Sequence, residues 1–196
     1  MTQAEMAARM HGRTNGDVLG YLLGRPVEGK ELADLIQAKE ASYRALCLLN
    51  PRRFILSPGA PELLDWLATH DILRTIATSS EVTNLNFFVR HLRLDRWFDL
   101  DRIVYDDGLW PGKPAPDIYQ NAASKIGIDP HWCIVVEDAV SGLAAAQAAG
   151  IGYIVALGPP GALNDLRQLP GVSLTINSLR DFPRDRLFGG ASGARA

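Results

Sequence analysis

Cys133-Ile134-Val135-Val136-Glu137-Asp138-Ala139-Val140-Ser141-Gly142-Leu143-Ala144-Ala145-Ala146 is an apolar run that meets two carboxylates and passes into an Ala-rich helix stopped at Ala149-Gly150. A short strand with no polar face is covered on both sides, as strands are in parallel sheets flanked by helices. The same alternation extends outward. Leu73 to Ala77 reads as an apolar strand ending at Thr78-Ser79-Ser80, with a helix through about Leu92. Ile103-Val104-Tyr105 reads as a brief strand and Pro116 to Ile126 as a helix. Tyr153 to Ala156 is the next strand, and Leu174-Thr175-Ile176 a last one. Upstream, Pro58-Gly59-Ala60-Pro61 opens a helix ending near His70, with Pro61 suited to the first turn. The expected fold is α/β, with a doubly wound parallel sheet as its core.

Residues 1–50 carry no strand signal. They read as helices over about 2–10, 15–23 and 29–47, broken at Gly12, Gly24-Arg25-Pro26 and Gly29 and ended by Asn50-Pro51. Thr2 and Glu5 form a capping box for the first. The expected organisation is a helical segment over 1–50, an α/β core over 51–188 and a disordered tail over 189–196.

Apolar residues make up 47% of the chain, enough for a full core. The net charge of −2 and the scattered Lys and Arg offer no basic field, so nucleic acid is not an expected partner. Two distant cysteines, Cys47 and Cys133, exclude a disulfide framework and fit a reducing cytoplasm, and Cys133 reads as a small buried hydrophobe. No run has the length of a membrane span, and the N-terminus lacks the pattern of a signal peptide, so no membrane partner is expected.

Open parallel sheets bind ligands beyond the carboxyl ends of their strands. Three polar signals fall at or near such ends. Thr78-Ser79-Ser80 sets hydroxyls at a helix start, which suits a phosphate and equally a helix cap. In Gly112-Lys113-Pro114-Ala115-Pro116-Asp117, two prolines hold a lysine in place, as a point charge aimed at a phosphoryl group requires; alone, such a lysine reads as solvated surface. Glu137-Asp138 places two carboxylates side by side, which is costly in the interior unless a cation is present, and hard oxygen ligands beside a phosphate site suit Mg²⁺. The plainer reading of that pair is a surface turn before a helix.

Taken together and in order, Thr78, Lys113-Pro-x-Pro and Glu137-Asp138-x-x-x-Gly142 resemble motifs II, III and IV of the haloacid dehalogenase superfamily. The run from Glu137 to Ala146 closely resembles its β-phosphoglucomutase-like and phosphoglycolate-phosphatase-like branch, and the resemblance as a whole covers roughly residues 1–180. The resemblance implies a Rossmann-like core with a small α-helical cap. It implies that Thr78 bonds the transferring phosphoryl group, that Lys113 neutralises its charge and orients the nucleophile, and that Glu137 and Asp138 hold Mg²⁺. Ser79, Gly12 and Arg13 become substrate-binding candidates, since His11-Gly12-Arg13-Thr14 resembles the cap segment facing the substrate. The implied reaction is Mg²⁺-dependent hydrolysis of a small phosphorylated sugar or organic acid, with phosphosugar mutation as the runner-up.

One element of the pattern is not found. The family's motif I is a strand ending in Asp-x-Asp-Gly, whose first Asp attacks phosphorus and whose second is the general acid and base. No Asp-x-Asp-Gly occurs in these 196 residues, and Asp106-Asp107-Gly108 has the wrong spacing and place. The first strand of the fold is therefore expected to be missing from the chain, which reads as truncated at its start. The 196 residues alone are expected to be inactive, or to serve as a pseudoenzyme that binds a phosphorylated ligand, with self-association through exposed sheet edges. A flavodoxin-like or receiver-like domain would share the alternation but would not need Lys113-Pro-x-Pro followed by Glu137-Asp138.

Overall fold

A computed structural model describes Glu5, Met10 and residues 13–189. The helix expected over 2–10 falls largely outside the described residues, as do its Thr2 cap, His11, Gly12 and the tail from 190 onward.

The described chain begins with two helices, α1 (Asn15–Leu23) and α2 (Gly29–Leu49). Thr14 caps α1, its hydroxyl accepting from the Asp17 N–H at 3.3 Å. Gly24, at φ +66°, ends α1 in the left-handed conformation that glycine adopts without strain. The next helices are α3 (Ala60–Thr69), α4 (Val82–Leu92), α5 (Asp117–Ile126) and α6 (Val140–Ala148). The α3 boundary depends on Gly59: its φ is +85°, and a Cβ there would run into the backbone of Arg180. Two short helices that the sequence pattern did not reveal, α7 (Leu163–Arg167) and α8 (Arg184–Phe188), lie among the C-terminal elements.

The sheet is parallel and three-stranded, in the order β1 (Ile134–Glu137), β2 (Tyr153–Leu157), β3 (Val172–Ile176). Ile134 pairs with Tyr153 and Glu137 with Ala156. Alternate residues of β2 serve opposite faces. Ile154 and Ala156 pack with Tyr119 of α5, Leu143 and Ala146 of α6 and Leu166 of α7. Val155, fully buried, packs on the other side with Leu63 of α3, Phe182 and the α8 residues Leu187 and Phe188. Helices therefore cover both faces, which makes the core doubly wound. Ala145 and Ala146 are wholly buried, so α6 approaches the sheet closely because its side chains are small.

Two expected strands are not regular strands. The segments 73–77 and 103–105 run side by side but share a single parallel bridge, Ala77 with Val104, fixed by Thr78 N–H to Val104 O and Val104 N–H to Ile76 O, both 2.9 Å. Each has a partner on one side only, and a pair of short strands so placed cannot sustain a ladder. Among the described residues, no strand pairs with β1 on the side away from β2. Val136, in the middle of β1, is 37% exposed.

Candidate functional site

β1 delivers Glu137 to the carboxyl end of the sheet, and the loop before α5 delivers Lys113 to the same place. Lys113 Nζ lies 2.6 Å from Glu137 Oε2, and the two side chains are only 6% and 9% exposed. The lysine is thus buried and paired, not a solvated surface group. Tyr119, two residues into α5, donates its hydroxyl to the same Oε2 at 2.5 Å. The Lys113 ammonium also lies over the Tyr119 ring, 5.1 Å from its centroid. Glu137 Oε1 accepts from the N–H groups of Asp138 and Ala139 at 3.0 and 2.9 Å. A carboxylate has about four acceptor positions, and here four donors fill them.

Burial by itself would raise the Glu137 pKa. The Lys113 charge and the donors from Lys113, Tyr119 and Ala139 more than offset it, bringing the carboxyl down to about 2. Asp138 differs from its neighbour. Its side chain is on the exposed side of the turn, and partial desolvation together with the Glu137 charge moves its pKa up from the usual aspartate value. Gly142 completes the pocket around Glu137, since a Cβ there would overlap the carboxyl group. That overlap gives a physical reason for the glycine four residues after Asp138.

Thr78 stands at the end of the 73–77 segment. Its hydroxyl accepts from the Ser80 N–H at 3.1 Å, and Glu81 is the residue that caps α4. The cluster therefore forms its own turn ahead of the helix. Ala77 and Val135 pack against the one core cluster that includes Tyr119, which ties the Thr78 turn to the Lys113–Glu137 pair through the core. Ser79 is half-buried in that turn. Arg13 is half-buried at the entry to α1, with its N–H bonded to Met10 O at 3.3 Å; Gly12 is outside the described residues. Thr14 meets the glycine that precedes Lys113, since a Cβ on Gly112 would strike its methyl group. The start of α1 thus lies against the Lys113 loop.

A second polar cluster joins α2 to α4. Glu40 is 5% exposed and accepts from the amide of Asn84, itself 3% exposed, and from Lys39. Arg44 Nη1 donates to Asn84 Oδ1 at 2.6 Å and lies 3.8 Å from Glu81. Sequence reading missed this cluster because Lys39-Glu40 looks like an ordinary solvated helix face. It missed Tyr119 because an aromatic residue two positions into a helix looks like core, which it also is. Among the described residues, no group of three or more His, Cys, Asp and Glu could hold a metal ion, and no helix is long and apolar enough to cross a membrane.

Comparison with known proteins gives a consistent result. Hexitol phosphatase A of Escherichia coli is 30% identical over 182 residues, covering 88% of this chain and 80% of its own. A phosphorylated carbohydrates phosphatase of Thermotoga maritima is 34% identical over 113 residues, covering 58% of this chain and 50% of its own. The crystal structure of a family IA, variant 3 hydrolase from Entamoeba histolytica superposes with a TM-score of 0.84 at 31% identity, covering 96% of this chain and 83% of that one. The chain spans about half the length of several curated relatives that it matches. With a sequence model of the haloacid dehalogenase-like hydrolases matching residues 17–150, and the buried Lys113–Glu137 pair at the sheet's carboxyl edge, the chain belongs to the haloacid dehalogenase-like hydrolases.

Proposed function

We propose that this chain carries the phosphoryl-binding half of a Mg²⁺-dependent phosphohydrolase for a small phosphorylated sugar, sugar alcohol or organic acid. The observation that supports it most is the Lys113–Glu137 pair: a cation held in the interior, at the sheet edge, beside an exposed carboxylate. Two relatives named for phosphorylated carbohydrates and hexitols support the substrate class. Residues 1–50 are assigned as the cap segment, 51–188 as the core and 189–196 as a tail.

Lys113 would neutralise charge on the phosphoryl group, and its fixed position makes that stabilisation available without reorganisation. Thr78 and Ser79 would offer hydroxyl and backbone donors to the phosphoryl oxygens. Arg13 and Gly12, in the cap segment, would face the rest of the substrate. The donors present fit Mg²⁺ through Asp138, because magnesium is commonly held by one or two carboxylates, waters and a substrate phosphate. When bound, Mg²⁺ supplies positive charge to the phosphoryl oxygens. Glu137 would join it only by giving up one of its four donors, and otherwise serves Lys113.

These groups bind and stabilise but do not attack, because the Thr78 and Ser79 hydroxyls have no paired base in the motif pattern and the Lys113 ammonium is held protonated by Glu137. Turnover is therefore expected where an apolar strand ending in Asp-x-Asp-Gly accompanies these residues, and binding without turnover for the 196 residues alone. The test assays both forms with Mg²⁺ against hexose phosphates, hexitol phosphates and phosphoglycolate. Turnover by the 196-residue form that survives repurification and disappears in Lys113→Ala or Asp138→Ala would refute the division of labour.

A further inference from the structure

We infer that Tyr119 is a positioning residue for Lys113, acting by holding the Glu137 carboxylate in the one orientation that pins the ammonium. Three observations point there. Glu137 Oε2 is shared between Lys113 Nζ at 2.6 Å and Tyr119 Oη at 2.5 Å, so the hydroxyl and the ammonium lie on one oxygen. Oε1 is fixed by the two backbone N–H groups of Asp138 and Ala139, which sets one end of the carboxylate but leaves its plane free to turn about them. Tyr119 removes that freedom. Its ring is 5% exposed and locked in the core with Ile118, Ala122 and Leu143, and the same ring forms the floor under the ammonium. A long, flexible lysine thereby becomes a fixed point charge, through a contact made on its partner and a contact made on itself.

This has a chemical consequence. A carboxylate whose four acceptor positions are taken by protein donors is a poor ligand for a hard cation, which needs at least one of those positions. Tyr119 therefore divides the adjacent carboxylates between two tasks: Glu137 serves the lysine and Asp138 remains available. The proposal rests on the reading that Lys113 meets the phosphoryl group, but its test needs no substrate, metal or turnover.

The chain has only four lysines, Lys30, Lys39, Lys113 and Lys125, so side-chain ammonium resonances can be assigned by single Lys→Arg replacements. In the unaltered 196-residue chain Lys113 should give a slowly exchanging ammonium signal, because it is buried and bonded. E137Q should abolish it. Y119F keeps the ring in the core and removes only the hydroxyl. It should raise the water-exchange rate of the Lys113 ammonium by at least about tenfold, the lower end of the weight of a hydrogen bond to a charged group. It should also shift the Ala139 amide signal upfield as the carboxylate turns, while leaving the amide signals of β2 in place. A Lys113 ammonium and an Ala139 amide both unchanged in Y119F would overturn the proposal. So would an exchange rate that rises only together with general loss of amide protection across β2, since that marks a purely structural role. A failed phosphatase assay bears on the proposed function and not on these signals.

Discussion

Glu137 is where charge, hydrogen bonding and packing meet within one residue. Its pKa is lowered from the ordinary 4.5 to about 2, so its ionised form stabilises the fold. The contribution is complete above the unfolded-state value and is lost as pH falls through the folded value, between about pH 4.5 and 2. A shift of that size corresponds to roughly 3 kcal/mol. Chemical denaturation at stepped pH should show this loss in the unaltered chain and a flatter acid limb in E137Q; equal slopes would contradict the assignment. Lys113→Ala leaves the carboxylate buried and uncompensated, and should cost about 3–5 kcal/mol in the same measurement at pH 7. Gly142→Ala offers an independent check. The added methyl group must displace the Glu137 carboxyl, which sits against backbone donors and cannot retreat freely. A loss of about 1–3 kcal/mol is expected, typical of overpacking.

Among the elements, α2 meets α4 through Glu40, Asn84 and Arg44 and through Tyr43, edge-on to Phe88, while Leu46, Leu48 and Leu49 near its end are 59%, 52% and 76% exposed. Asn84→Ala removes the amide that bonds both Glu40 and Arg44, leaving a buried carboxylate short of a donor. Limited proteolysis should then cut within 29–49 faster than in the unaltered chain, with cleavage in the sheet region unchanged. The difference between α2 and the sheet also explains what could be read from sequence. The helices expected over about 15–23, 29–47 and 116–126 were legible because Gly24, Gly29 and Pro116 punctuate them with a clear physical sense, and the structure places them at 15–23, 29–49 and 117–126. β1 and β2 were legible because continuous apolar runs four or five residues long have few other uses. The 73–77 segment carries the same kind of run but forms one bridge, since a ladder depends on a neighbour and no local pattern encodes one. Of the candidate site, Lys113 and Glu137 could be named individually; their direct pairing and the Tyr119 bond between α5 and β1 are tertiary facts.

For the molecule as a whole, uncovered apolar surface is the main liability. Val136 on the open side of β1, Leu73, Ile55 and the end of α2 are all exposed. The chain is expected to self-associate with rising concentration in sedimentation velocity, and Val136→Lys should reduce this by placing a charge on the edge. Identical sedimentation of the two at high concentration would show that β1 is not the contact. The contiguity of the sheet has a further consequence, for the order in which the protein is made. All three paired strands come from residues 134–176, and β2, the strand with neighbours on both sides, holds Ile154, Val155 and Ala156, none more than 1% exposed. On a ribosome adding about 5–20 residues per second, the 64 residues between the end of α3 and the start of β1 take roughly 3–13 seconds to add. Through that interval α3, whose Leu63 belongs against Val155, has no sheet to dock on. The nascent chain should therefore present α3 uncovered, as a target for chaperones, until residues 134–176 have been made.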